Sequence, residues 1–216
     1  MNRRSLILAV AALAVALFAV AAYYVSSGSG TGAADAAILE RPHSPVVGAA
    51  DAPVTIVEFL DPACEACRAF HPVIKSMLRQ FPDDVRVVVR YATFHNGSEE
   101  AVRILEAARL QGMYEPVLDT LFKGQPKWAS HSTPNLAAAW DMAAAAGLDV
   151  QRARVDAGRA EIAALLRQDA EDIRTLQVKQ TPTFYIAGKP LETYQFQAFY
   201  DAVRTAVEAA RNGTAQ

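Results

Sequence analysis

The chain has 216 residues, 52% of them hydrophobic and 20% charged, and a net charge of −2. That is enough for one well-buried domain of roughly 150–180 residues with a short appendage. Its 21 basic and 23 acidic residues are mixed along the chain and form no basic patch, which excludes a nucleic-acid partner.

At the N-terminus, Arg3 and Arg4 precede residues 6–25, a run without charge. As a helix this run is about 30 Å long, sufficient to cross a hydrocarbon core. Positive charge before it, and none after it until Arg41, orients the N-terminus inside and the rest outside. Residues 6–25 are therefore expected to anchor the chain in the inner membrane. A cleaved signal peptide is the alternative, with small residues around Ala34 and Ala36, but a signal's apolar region is ordinarily shorter, ~7–15 residues. Either way the domain is expected to be periplasmic. Residues 26–45 are expected to be a flexible stalk, Ser/Gly/Ala-rich over 26–37, and residues 38–52, which hold Pro42, Pro45 and Gly48, are expected to be an extended lead-in to the domain.

Residues 54–60 (VTIVEFL) are apolar and β-branched, the pattern of a fully buried strand. Asp61 and Pro62 end it, and a helix is expected from Cys64 to about Gln80, with Pro72 predicting a kink inside it. Residues 85–91 (VRVVVRY) predict a second strand, parallel to the first in a βαβ unit. Residues 98–175 read as helices: 98–111, 115–122, 133–146, 149–156 and 159–175, with a loop at 123–131. That is too long for one crossover and predicts an inserted helical subdomain. Residues 183–187 and 190–192 predict an antiparallel hairpin about Gly188-Lys189, and 195–211 a closing amphipathic helix. Residues 212–216 are a tail. The order predicts an α/β fold, a mixed sheet with helices on both faces.

The chain has two cysteines, in Cys64-Glu65-Ala66-Cys67. A bridge between them closes almost no loop, so the pair is a poor staple and points to redox chemistry or metal binding. In disulfide exchange the thiolate attacks, and a helix N-terminus favours it with unpaired amide hydrogens and the positive end of the helix dipole. Cys64 falls at such a terminus and is assigned as nucleophile. Cys67, one turn further in, is assigned as the resolving thiol. Glu58 lies mid-strand where its neighbours should be buried. Burial raises a carboxyl pKa, which suits Glu58 to take the Cys67 proton, unless it points off an edge into solvent. Pro182, at a strand entry after Thr181, fits a cis bond, although trans is the commoner state.

With these residues the chain resembles the DsbA-like branch of the thioredoxin superfamily. The likeness covers about residues 45–211. It rests on Glu58-Phe59-Leu60, the Cys64/Cys67 pair, Pro72, the helical insert, and Thr181-Pro182-Thr183-Phe184 before a hairpin and last helix. It implies a thioredoxin fold and a thiol–disulfide oxidoreductase whose only redox group is the Cys64–Cys67 disulfide, with no cofactor. It makes Pro182 a cis-proline facing the cysteines, gives Thr181 a substrate-binding role and matches Glu58 to the family's buried acid. Strongly oxidising members carry Pro-His between the cysteines, and Glu65-Ala66 departs from that. Glu65 puts negative charge beside the thiolate, so a milder oxidant is expected. The partners implied are exported proteins with thiols or disulfides and a membrane redox partner. Without an N-terminal dimerisation domain, a monomer is expected.

A reductase or isomerase fed by a membrane electron donor is the alternative in the same class. From another class comes a metal-binding module using Cys64, Cys67 and His71, but a structural zinc site wants four ligands and no second pair exists. His43, His95 and His131 fall in predicted loops and read as solvated. The stripe Phe196, Phe199, Tyr200 reads as core.

Overall fold

The computed structural model describes residues 36–130 and 132–213. The anchor expected at 6–25, the first part of the stalk and His131 lie outside these. Among the described residues no helix is long and apolar enough to cross a membrane.

The elements are α1 (Ala36–Leu39), β1 (Val46–Gly48), β2 (Val54–Leu60), α2 (Glu65–Gln80) and β3 (Val85–Tyr91), then α3 (Ser98–Arg109), α4 (Tyr114–Trp128), α5 (Leu136–Ala145), α6 (Val150–Asp156) and α7 (Ala160–Thr175). The chain ends with β4 (Thr183–Ile186), β5 (Lys189–Pro190) and α8 (Phe196–Gly213). The sheet order is β1-β3-β2-β4-β5. β2 and β3 are parallel, and the remaining pairs are antiparallel. This is the thioredoxin fold with a block of five helices between β3 and β4.

Side chains alternate across a strand. From β2, Val54, Ile56 and Leu60 enter the core under α2, α8 and the helical block, whereas Val57 and Phe59 enter the smaller core on the opposite face with Ile173 and Tyr185. Glu58 shares the parity of Ile56 and Leu60, so the sequence aims its carboxyl at the face that α2 covers. α2 buries Cys67, Phe70, Ile74 and Met77 there, each large apolar side chain contributing about 1.5–3 kcal/mol. Phe70 packs against Phe184, Phe196 and Phe199.

Four expectations need correction. The stalk does not extend to residue 45: Leu39 is buried, and Arg41 forms a two-bond pair with Asp172 of α7. Residues 46–48 form an edge strand rather than a continued lead-in, because β3 offers an unpaired edge there. The loop expected at 123–131 is helix as far as Trp128. Pro126 lies near the end of α4, and Gly124 lets α5 approach so closely that a Cβ there would meet Met142 Sδ at 2.5 Å. That packing favours helix over the local preference of Gly and Pro. Phe196 is also half-exposed, so the aromatic stripe is core only at its inner members.

Candidate active site

The turn that leaves β2 places Cys64 as the N-cap of α2, in extended backbone, with Glu65 as the first helical residue. The first-turn amides of α2 therefore have no partner within the helix and face the cysteine pair. Both cysteines are free thiols here, and both are buried, Cys67 completely. The Cys64 pKa is pushed down to about 5. The hydrogen bond from Cys67 is the largest cause, and against the opposing effect of burial the Thr181 side chain and the backbone amides of Cys67 and Ala66 add to it. Glu65 is not among these principal causes, so the penalty expected from its charge is outweighed. Cys67 is the reverse case: burial pushes its thiol well above the usual range, with the hydrogen bond to Cys64 and the charges of Glu58 and Cys64 acting the same way. One thiol is prepared to be a thiolate at neutral pH and its neighbour to stay protonated.

The bond between Thr181 and Pro182 is cis. Cys64 Sγ lies 3.2 Å from the Thr181 carbonyl oxygen and donates to it. β4 starts immediately after, so a backbone acceptor and the head of a strand stand beside Cys64.

Glu58 is 3% exposed, and its Oε1 has no hydrogen-bond partner among the described residues. Burial raises its pKa to about 8, helped by the Cys64 charge. The edge-into-solvent alternative is thereby corrected: Glu58 sits beneath the cysteines, largely protonated at neutral pH. His71, the third ligand of the metal reading, is engaged with Asp119 at 2.6 Å. No group of three or more His, Cys, Asp or Glu side chains is arranged to hold a metal ion among the described residues.

The structure adds residues that the sequence reading missed. Gln125 of α4 is buried; it donates to the carbonyls of Pro62 and Cys64, each at 2.9 Å, and accepts from Arg68 Nε at 2.8 Å. It fastens the cysteine turn to the helical block. Its assignment to a loop hid it. His95, read as solvated, hydrogen-bonds Asp61. No motif marks His95, but it follows the carboxyl end of β3, next to that of β2, where sites on parallel strands gather.

Residues 40–208 match the thioredoxin family model Thioredoxin_4. A relative from Herminiimonas arsenicoxydans, a Na(+)/H(+) antiporter NhaA, is 32% identical over 183 residues, 82% of this chain and 28% of the relative. Another, Na(+)/H(+) antiporter NhaA 1 of Mycolicibacterium gilvum, is 31% identical over 69% of this chain and 24% of its own length. The chain thus spans about a quarter of the length of these curated relatives. Among solved structures, a thioredoxin-like oxidoreductase from Silicibacter pomeroyi is 27% identical with a TM-score of 0.70, covering 81% of this chain and 99% of that one. Bacillus subtilis BdbD and Wolbachia pipientis alpha-DsbA1 share the fold at 20% and 16% identity, with TM-scores of 0.69 and 0.72 over 78% and 82% of this chain and 95% and 96% of theirs.

Proposed function

We propose that this chain, which belongs to the thioredoxin family, is an extracytoplasmic thiol–disulfide oxidoreductase that passes the Cys64–Cys67 disulfide to reduced exported proteins. The observation that carries the reading is the contrast between the two thiols at one helix N-terminus: Cys64 pushed down to about 5, Cys67 pushed up by burial. Stabilising the thiolate stabilises the reduced enzyme, which makes its disulfide readier to accept electrons. That favours an oxidant over a reductase fed by a membrane donor.

The chemistry follows from the placement. A client thiolate attacks Cys64 Sγ, the bond to Cys67 breaks, and the Cys67 sulfur leaves with the electron pair. Glu58, protonated, gives that sulfur its proton; in the reverse direction it accepts the proton as Cys67 attacks a mixed disulfide. The client's second thiolate then displaces Cys64, which departs as a stabilised thiolate. Thr181 and Pro182 receive the client's extended chain, with the Thr181 backbone next to Cys64. A membrane redox partner restores the disulfide. The domain works as a monomer held at the membrane by residues 6–25.

The test is Cys67→Ser in the exported full-length protein. Mixed disulfides between Cys64 and exported proteins should accumulate, and Cys64→Ser should abolish them. A Cys64–Cys67 pair as reducing as thioredoxin against glutathione would overturn the oxidase reading. A mature N-terminus near residue 37 would overturn the anchor.

A further inference from the structure

Asp61 is fully buried at the end of β2. Its backbone touches both cysteines: its carbonyl accepts the Cys64 N–H at 3.1 Å, and its N–H donates to Cys67 Sγ at 3.5 Å. Its carboxylate binds the segments on either side. Oδ1 accepts the Ala63 N–H at 2.9 Å and the Ser98 hydroxyl, and Oδ2 accepts the N–H groups of Phe94 at 2.8 Å and His95 at 3.1 Å. The same Oδ2 lies 2.8 Å from His95 Nδ1. The loop between β3 and α3 is fixed from its far end by Gly97, at φ +85 and packed so tightly on Pro134 that a Cβ would lie 2.8 Å from Pro134 Cβ. One carboxylate therefore ties the residue before Cys64 to His95, while the His95 side chain stays 30% exposed and can exchange protons with water.

A buried carboxylate this close to Cys64 opposes a thiolate unless a cation offsets it. The charged groups that act on His95 are Asp61 from the end of β2 and Cys64 and Glu65 from the start of α2. The sides contributed by α3 and by the approach to α5 bring Ser98 and Pro134, which carry no charge. Desolvation lowers the His95 pKa, but the Asp61 hydrogen bond and the charges of Asp61, Cys64 and Glu65 outweigh it, and the net direction is upward.

We propose that His95, positioned by Asp61, is the cationic partner of the Cys64 thiolate and takes up a proton when the cysteine pair is reduced. The proposal rests on the reading that this pair cycles between disulfide and dithiol. A client dithiol gives up two electrons and two protons as its own disulfide forms. The enzyme disulfide takes the two electrons, one proton goes to Cys67, and Cys64 remains a thiolate. Where His95 is neutral in the oxidised enzyme, it takes the second proton, and none is released to solvent. His95 thus fills, from a neighbouring loop, the place left by the Glu65-Ala66 pair between the cysteines.

The experiment follows the His95 ring resonance by NMR from pH 5 to 9 in oxidised and reduced wild-type protein, together with the glutathione equilibrium over the same range. The His95 pKa should be higher in the reduced protein. Between its two values the protons taken up per two electrons should rise from about one towards two. His95→Gln should remove the uptake at His95, leaving beyond the first proton only the uptake near pH 8 at Glu58, whose pKa also responds to the Cys64 charge, and should raise the pH midpoint of Cys64 alkylation. His95→Lys should keep the thiolate and lose the extra proton. Equal His95 pKa values in both redox states would overturn the proposal, whatever the variants do. A redox-linked His95 titration in a protein that oxidises no reduced client would support it and overturn the functional reading instead.

Discussion

Replacing Glu58 by Gln tests whether the buried carboxyl is protonated in the fold. Unfolded, Glu58 titrates at the ordinary 4.5; folded, it titrates at about 8 because burial disfavours the charge. Between these values the native state binds a proton that the unfolded state has lost, so wild-type stability falls as pH rises. The slope is ~1.4 kcal/mol per pH unit, and over roughly 3.5 units the loss reaches about 5 kcal/mol. Gln has no such titration. Whatever fixed cost its amide carries, the stability of Glu58→Gln relative to wild type should climb steadily from pH 5 to 8 and be level below pH 4. Urea unfolding of both proteins, kept reduced, at unit pH steps measures this directly. The same variant should slow steps in which Cys67 gains or loses a proton by about 100-fold, with alkylation of Cys64 little changed. A stability difference that stays flat from pH 5 to 8 would mean that Glu58 is already ionised in the fold, and the proton-transfer role would fall with it.

The other expectations concern the thiols and the scaffold. Iodoacetamide should modify Cys64 with a pH midpoint near 5 and leave Cys67 untouched in the folded protein; faster labelling of Cys67 would reverse the assignment. Exchanging Glu65-Ala66 for Pro-His should raise the reduction potential by no more than about 30 mV, one pKa unit for a two-electron couple, since Glu65 is not a main influence on Cys64; a much larger rise would restore Glu65 to the importance the sequence reading gave it. Gln125→Leu leaves the carbonyls of Pro62 and Cys64 without their side-chain donor and should cost about 1–3 kcal/mol; calorimetry showing an unchanged melting temperature would deny Gln125 its fastening role.

Much of the fold was legible because its signals are local. Residues 54–60 and 85–91 are β-branched runs with sharp ends, and both strands lie where expected. The cysteine turn was legible because two thiols three residues apart at a helix start have few other uses. Glu58 stood out as a charge in an apolar strand, and strand parity accounts for where it points. Long-range effects stayed hidden. Val46–Gly48 is a strand only because β3 has a free edge. Gln125 became visible only once Gly124 was seen to admit α5. His95 carries no motif, and its significance comes from Asp61, a residue whose sequence context suggested only the end of a strand.

Arg90 has practical consequences for anyone shortening or re-tethering this protein. It is fully buried, paired with Asp169 and Asp172, and donates to the backbone carbonyls of Ile38 and Leu39. Arg41 and His43 meet the same two carboxylates. A recombinant domain cut at residue 46 keeps the five strands and both cysteines, yet strips a buried guanidinium of two acceptors and two buried acids of their outer partners. Breaking such a buried cluster costs about 3–5 kcal/mol, much of the 5–15 kcal/mol a domain typically has. Comparing melting temperatures of versions beginning at residues 36 and 46 would check this, with equal values refuting it. Tags, display fusions or a substitute anchor therefore belong ahead of Ala36, where they leave Arg90 enclosed.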